Sequence, residues 1–164
     1  MRDGERLLIA KFPHPGDEWD VMAWESTARA SADLRQLWRR IAFSIASHKT
    51  DDHLRNHGFL RERAGWVLSP AFDLNPEPSL RAQRVTSVGG ADTPEDEVRA
   101  LLAYADSFDL TPAAARAVLS EVVDAVSGWR DAAGRNGIGQ REIERFAPTL
   151  DSTVAAVSAE ASHP

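Results

Sequence analysis

Apolar residues first gather in a short run, Leu7-Leu8-Ile9-Ala10, with Gly4 ahead of it and Pro13, Pro15 and Gly16 behind. A run this short between turn formers predicts a buried strand and then a turn, with Lys11 at the strand's end. Asp17 or Asp20 supplies a helix cap, and Val21, Met22, Trp24 and Glu25 then predict a helix running towards Ala30. Ser31 or Asp33 caps the next helix. There Leu34, Leu37, Trp38, Ile41, Ala42 and Ile45 recur at spacings of three and four, making one apolar stripe, with Arg35, Arg39 and Arg40 off it.

Between Ser47 and His57 the pattern fits neither period, which predicts a polar loop. Gly58-Phe59-Leu60 and Trp66-Val67-Leu68 flank the charged turn Arg61–Gly65 and predict a β-hairpin. Residues 75–92 are rich in Pro, Ser and Gly and predict an extended loop. Two Thr-Pro pairs, Thr93-Pro94 and Thr111-Pro112, each combine an N-cap with a proline at the first helical position. The first starts a helix with Val98, Leu101, Leu102 and Ala105 on its apolar face. The second starts one lined by Val118, Leu119, Val122, Val126 and Trp129, ending near Gly134. A short last helix is expected from Arg141 to Phe146, stopped by Pro148, with residues 151–164 a flexible tail.

Composition narrows the function classes. Of 164 residues, 43% are hydrophobic and 27% charged, which suits a globular chain and not a disordered one. The net charge of −6 lacks the basic excess of a nucleic-acid binder, so no direct nucleic-acid contact is expected. With no cysteine, disulfides, thiol catalysis and cysteine-ligated metals are out. No apolar run approaches the length of a membrane span and no signal-peptide stretch opens the chain, so the expectation is a cytoplasmic protein with no membrane partner.

The polar loop holds the candidate chemistry. Asp51 and Asn56 are five residues apart, and Asp73 follows the hairpin in Phe72-Asp73-Leu74. Phosphoryl transfer uses this logic: one Asp takes or orients the hydroxyl proton, an Asn five residues on turns back to magnesium, and a second Asp bridges metal and phosphates. Such a site also needs a strand lysine held by an acid, for which Lys11 and Glu25 stand in order.

Those residues resemble a known family. Asp51-Asp52-His53-Leu54-Arg55-Asn56-His57-Gly58-Phe59-Leu60 is similar to the catalytic loop of HipA, the serine/threonine-kinase toxins of bacterial type II toxin–antitoxin pairs. Leu68-Ser69-Pro70-Ala71-Phe72-Asp73-Leu74-Asn75-Pro76 resembles the family's metal-binding segment. Ile9-Ala10-Lys11-Phe12-Pro13 resembles its nucleotide-lysine strand, and Leu37–Phe43 the helix before the catalytic loop.

The resemblance implies an α-rich α+β fold: a protein-kinase-like helical C-terminal lobe with a small β-hairpin and a remnant of the N-terminal lobe. It would cover residues 1–150, with 1–30 from the small lobe and 31–150 the helical lobe. It implies ATP and Mg as cofactors, Asp51 as base, Asn56 and Asp73 as magnesium ligands, and Lys11, supported by Glu25, on the ATP phosphates. His53 or Arg55 would offset charge on the transferred phosphoryl group. An antitoxin and a protein substrate are the implied partners.

Departures from the family pattern carry their own expectation. Ten residues precede Lys11, eight separate Glu25 from Leu34, and His48-Lys49-Thr50 stands where the family usually reads Ser-Asn-Thr. The chain reads as two pieces of a longer kinase joined near Ala30–Asp33, which predicts weak or absent nucleotide binding. Three functions follow: an active kinase, an inactive remnant that binds an antitoxin or self-associates, and a decayed toxin.

Each candidate has a plainer explanation. Asp51, Asn56 and Asp73 also suit a polar turn with a capping acid, and Lys11 and Glu25 solvated side chains. His48, His53 and His57, with Asp51 and Asp52, have spacings compatible with zinc. Trp24, Trp38, Trp66 and Trp129 read as packing residues. Arg35, Arg39, Arg40 and Arg55 form either a basic strip or an ordinary solvated face.

Overall fold

The computed structural model describes residues 6–11, 20–25, 30–63 and 65–162, with residues 6–11, 20–25, 30 and 65 described through the backbone alone. The opening strand is present as β1 (Arg6–Lys11). The helix expected around Val21–Glu25 is instead a strand, β2 (Asp20–Glu25), antiparallel to β1. Six residues are too few for a stable helix, and a short apolar run does not distinguish the two states by period. Of the two expected caps, Asp20 opens β2 and caps no helix, while Asp17 and residues 26–29 of the expected continuation lie outside the described residues.

Helix α1 (Ala30–Ala46) carries the anticipated stripe. It begins before Ser31 and Asp33, so neither caps it. Ser31 Oγ donates to Asp109 Oδ2 at 2.6 Å, and Asp33 Oδ2 accepts from the Leu68 amide at 3.2 Å. Strands β3 (Phe59–Glu62) and β4 (Gly65–Leu68) form the expected hairpin, Phe59 opposite Leu68.

Both Thr-Pro signals start helices as anticipated. In α2 (Pro94–Ala103) Thr93 accepts from the Asp96 amide, and in α3 (Pro112–Ser127) Thr111 accepts from the Ala114 amide. Each such cap contributes about 1 kcal/mol. Between them lies a 3-10 turn, Ala105–Phe108. The helix from Pro112 does not reach Gly134 unbroken. It ends at Ser127, and a separate α4 (Trp129–Arg135), with no buried residue, follows Gly128.

The largest correction is at the C-terminus. Pro148 does not stop the last helix; α5 runs from Gln140 to Ser162. Residues 151–162 are thus ordered helix and not a flexible tail. A proline inside a helix costs about 3 kcal/mol. Burial of Leu150, Thr153 and Val157 beyond it offsets that cost, at roughly 1.5–3 kcal/mol for each large apolar side chain.

Helix α1 is the centre of the core. Leu37, Trp38, Ile41 and Ile45 pack with Val98 and Leu101 of α2, Val118 and Leu119 of α3 and Val157 of α5. Trp38 is fully buried and its indole N–H donates to the Leu101 carbonyl at 3.2 Å. Trp66 is half exposed. Among the described residues no helix is long and apolar enough to cross a membrane.

Candidate functional site

The last turn of α1 opens directly into the polar loop. His48 takes a left-handed backbone (φ 53°), and the amides of His48 and Lys49 still bond back to Ile45 and Ser44 carbonyls at 3.0 and 2.8 Å. A 3-10 turn, Leu54–Asn56, then leads to β3. The chain returns through the irregular segment after β4. Glu77 donates its amide to the His48 carbonyl and Val85 to that of Thr50, both at 3.0 Å, while Thr149 of α5 holds the Pro78 carbonyl at 2.7 Å. The loop is thereby clamped from two sides.

This clamp brings Asn56 and Asp73 together across seventeen residues of sequence. The Asn56 side-chain amide donates to Asp73 Oδ2, and the Asn75 amide donates to Asp73 Oδ1 at 3.1 Å. Asp73 is held in the left-handed region (φ 53°), which Asp tolerates better than most residues. Asn56 Oδ1 is buried with no hydrogen-bond partner.

The loop has a second, buried side that the sequence did not announce. Lys49 is 2% exposed, and its ammonium donates to the Asp51 carbonyl. The same Nζ lies 3.6 Å from Asp73 Oδ2 and 3.9 Å from Asp52 Oδ1. Asp52 is as deeply buried and accepts from Ser44 Oγ at 2.9 Å, with His57 Nε2 at 3.5 Å and Arg84 at 3.8 Å. Arg84 Nε lies 2.7 Å from Glu97 of α2. A buried charge needs such compensation, because its desolvation costs several kcal/mol.

Asp51, His53 and Arg55 face the other way. The Asp51 side chain is 70% exposed, with His53 Nε2 3.8 Å from it, beyond hydrogen-bond range. Arg55 is exposed. Near the exit of β4, Arg40 donates to the Ser69 carbonyl. Burial pulls its guanidinium below its ordinary value, with Asp33 acting in the opposite sense.

The family model of the HipA-like C-terminal domain matches residues 6–129, most of the chain. The chain belongs to this family. No curated protein and no solved structure matches it. The HipA-like match runs from β1 to the first residue of α4 and contains every candidate named from the sequence.

Within the HipA-like domain, Asn56 and Asp73 meet, and Asp51 stands on the outer side of the same loop. Lys11 and Glu25 are not brought together along their hairpin. Lys11 pairs with Asp20 and Glu25 with Arg6, at opposite ends of the ladder, roughly 17 Å apart at about 3.4 Å per residue. Glu25 is on a strand and not on a helix. The three histidines also turn to separate partners, His48 Nε2 to the Ser79 carbonyl at 3.2 Å, His53 towards Asp51 and His57 towards Asp52. Among the described residues no three His, Asp or Glu side chains group to hold a metal, which removes the zinc alternative there. The arginines form no strip: Arg40 is buried, and Arg39 pairs with Glu121 of α3.

Asn56 and Asp73 carry the hard oxygens magnesium prefers, but the Lys49 ammonium stands beside them. A divalent ion about 4 Å from the Lys49 ammonium would meet repulsion of roughly 8 kcal/mol at an effective dielectric of 20. The Lys49 ammonium, 3.6 Å from Asp73 Oδ2, therefore competes with a divalent ion for that oxygen. Lys49 and Arg84 are the residues missed from sequence, and Asp52 was considered there only for zinc. The one signal for them was His48-Lys49-Thr50 in place of Ser-Asn-Thr.

Proposed function

We propose that this chain is a HipA-type kinase lobe that keeps the phosphoryl-transfer loop as a folded scaffold, does not transfer phosphate, and binds a protein partner. The family context makes an antitoxin the candidate partner. One observation carries the reading. Both carboxylate oxygens of Asp73 are engaged by groups of the chain itself, Oδ1 by Asn75 and Oδ2 by Asn56 with Lys49 close by. Phosphoryl transfer depends on positioning and charge stabilisation, so an acid already neutralised from within has lost its part in it. A groove between α1, α3 and the segment after β4 offers a place for a partner side chain. Phe43, Ala71, Leu74, Val122 and Ala125 line it, with Arg39 and Glu121 at its edge.

The test is the melting temperature in millimolar Mg-ATP, together with transfer of labelled γ-phosphate. No shift and no transfer are expected. A rise that Asp73→Ala abolishes would overturn the reading. Co-purification with the protein encoded beside it checks the partner.

A second reading, an active kinase, has the exposure of Asp51 in its favour. There Asp51 would accept the proton of a substrate hydroxyl, with Lys11 on the ATP phosphates. Labelled phosphate on a protein, lost in Asp51→Asn, would establish it.

A further inference from the structure

Only two lysines occur among the 19 basic residues, and one of them, Lys49, is almost wholly buried inside the loop. Its ammonium faces three oxygens, the Asp51 carbonyl and one carboxylate oxygen each of Asp52 and Asp73. A compact point charge surrounded by oxygens is what a bound metal ion would supply. We propose that Lys49 is a tethered cation that takes the place of a divalent ion in this loop, and that the site accepts manganese or magnesium once Lys49 is neutralised. The proposal rests on the loop being of phosphoryl-transfer descent.

The local charge count supports it. Lys49 and Arg84 face the carboxylates of Asp52, Asp73 and Glu97. Among these described residues, removing Lys49 leaves Arg84 facing three carboxylates, which favours a divalent ion in its place. The oxygens for such an ion are already at the site. They are the Asp51 carbonyl, Asp73 Oδ2 and Asn56 Oδ1, the last buried and lacking any hydrogen bond. Lys49 thus holds the loop in its folded shape without an ion or a nucleotide.

The experiment is a manganese titration of the full chain without nucleotide, read by electron paramagnetic resonance and by melting temperature. The wild-type chain should show no saturable uptake at millimolar manganese. Lys49→Met, which keeps the length of the stem, and Lys49→Gln should each bind manganese at least tenfold more tightly and melt higher with it. Adding Asp73→Asn to either should remove the binding. Saturable uptake by the wild-type chain that Asp73→Asn removes would overturn the proposal, and so would folded Lys49 variants that take up none. If both variants are unfolded without metal, refolding on manganese supports the proposal and failure to refold overturns it. Transfer of labelled γ-phosphate by a wild-type chain that shows no saturable manganese uptake without nucleotide would end the non-catalytic reading alone. Manganese uptake by the wild-type chain would end this proposal alone.

Discussion

Asp51 and Asp52 are neighbours with identical side chains, yet one is open to solvent and the other lies inside a net of charges. Asp52 is surrounded by Ser44, Lys49, His57 and Arg84, while the Asp51 carboxylate has, among the described residues, only His53 at 3.8 Å. The division extends along the loop. Lys49, Asp52, Asn56 and His57 are buried, and Asp51 and Arg55 are exposed. One short segment therefore does two jobs. Its inner side ties α1 to α2 through Arg84 and Glu97, and its outer side carries Asp51 and Arg55 into solvent.

The sharpest way to break this contrast is to make the same change at both aspartates. Asp52→Asn leaves Lys49 and Arg84 short of a buried counter-charge, so it should destabilise the fold by about 3–5 kcal/mol in urea unfolding. Arg84→Gln removes the cation 2.7 Å from Glu97 and should cost about 1.5–3 kcal/mol. If Arg84→Gln proved neutral, the inner side would be a set of independent contacts and not a network.

How far all this could be read beforehand depends on where the partners lie in the chain. The α1 stripe, the β3–β4 hairpin and both Thr-Pro caps are local patterns, and all appear as anticipated. Pro148 misled because its local cost is outweighed by the burial of Leu150, Thr153 and Val157, the last packed in the core with distant helices. Val21–Glu25 was misread because strand pairing with β1, and not its own period, decides its state. At the site, Asn56 and Asp73 were legible as a pair through motif spacing. The burial of Lys49 was not, because the residues that enclose it include Asp73, twenty-four positions on. No period in the loop marks which charges face inward.

An exposed ion pair sets the scale for charges outside the network. Arg130 donates to Asp151 across α4 and α5, and the Trp129 indole donates to Asp151 as well. Arg130 holds the Asp151 carboxyl below the usual carboxylate range. A folded value below the unfolded one means the stabilisation is complete above about pH 4 and fades as pH falls through the folded value. Asp151→Asn should therefore flatten the acid arm of the stability profile. It should have a small effect at neutral pH that high salt removes, because solvent screens the pair. A salt-resistant loss at pH 7 would mean that surface charges here weigh as much as the buried ones.

Asp51→Asn should have the smallest effect of all. Its side chain is 70% exposed and makes no hydrogen bond at 3.8 Å from His53, and its backbone carbonyl, the group that Lys49 uses, is unchanged by the substitution. Its unfolding free energy should stay within about 0.5 kcal/mol of wild type. If the lobe is a scaffold, partner co-purification should also be untouched. The informative failure is a stable Asp51→Asn chain that has lost a measurable phosphoryl transfer. That pattern requires a working site on the outer side of the loop, with the inner network serving to position it. A loss of stability without any loss of transfer would instead place Asp51 in the network and dissolve the division between the two aspartates.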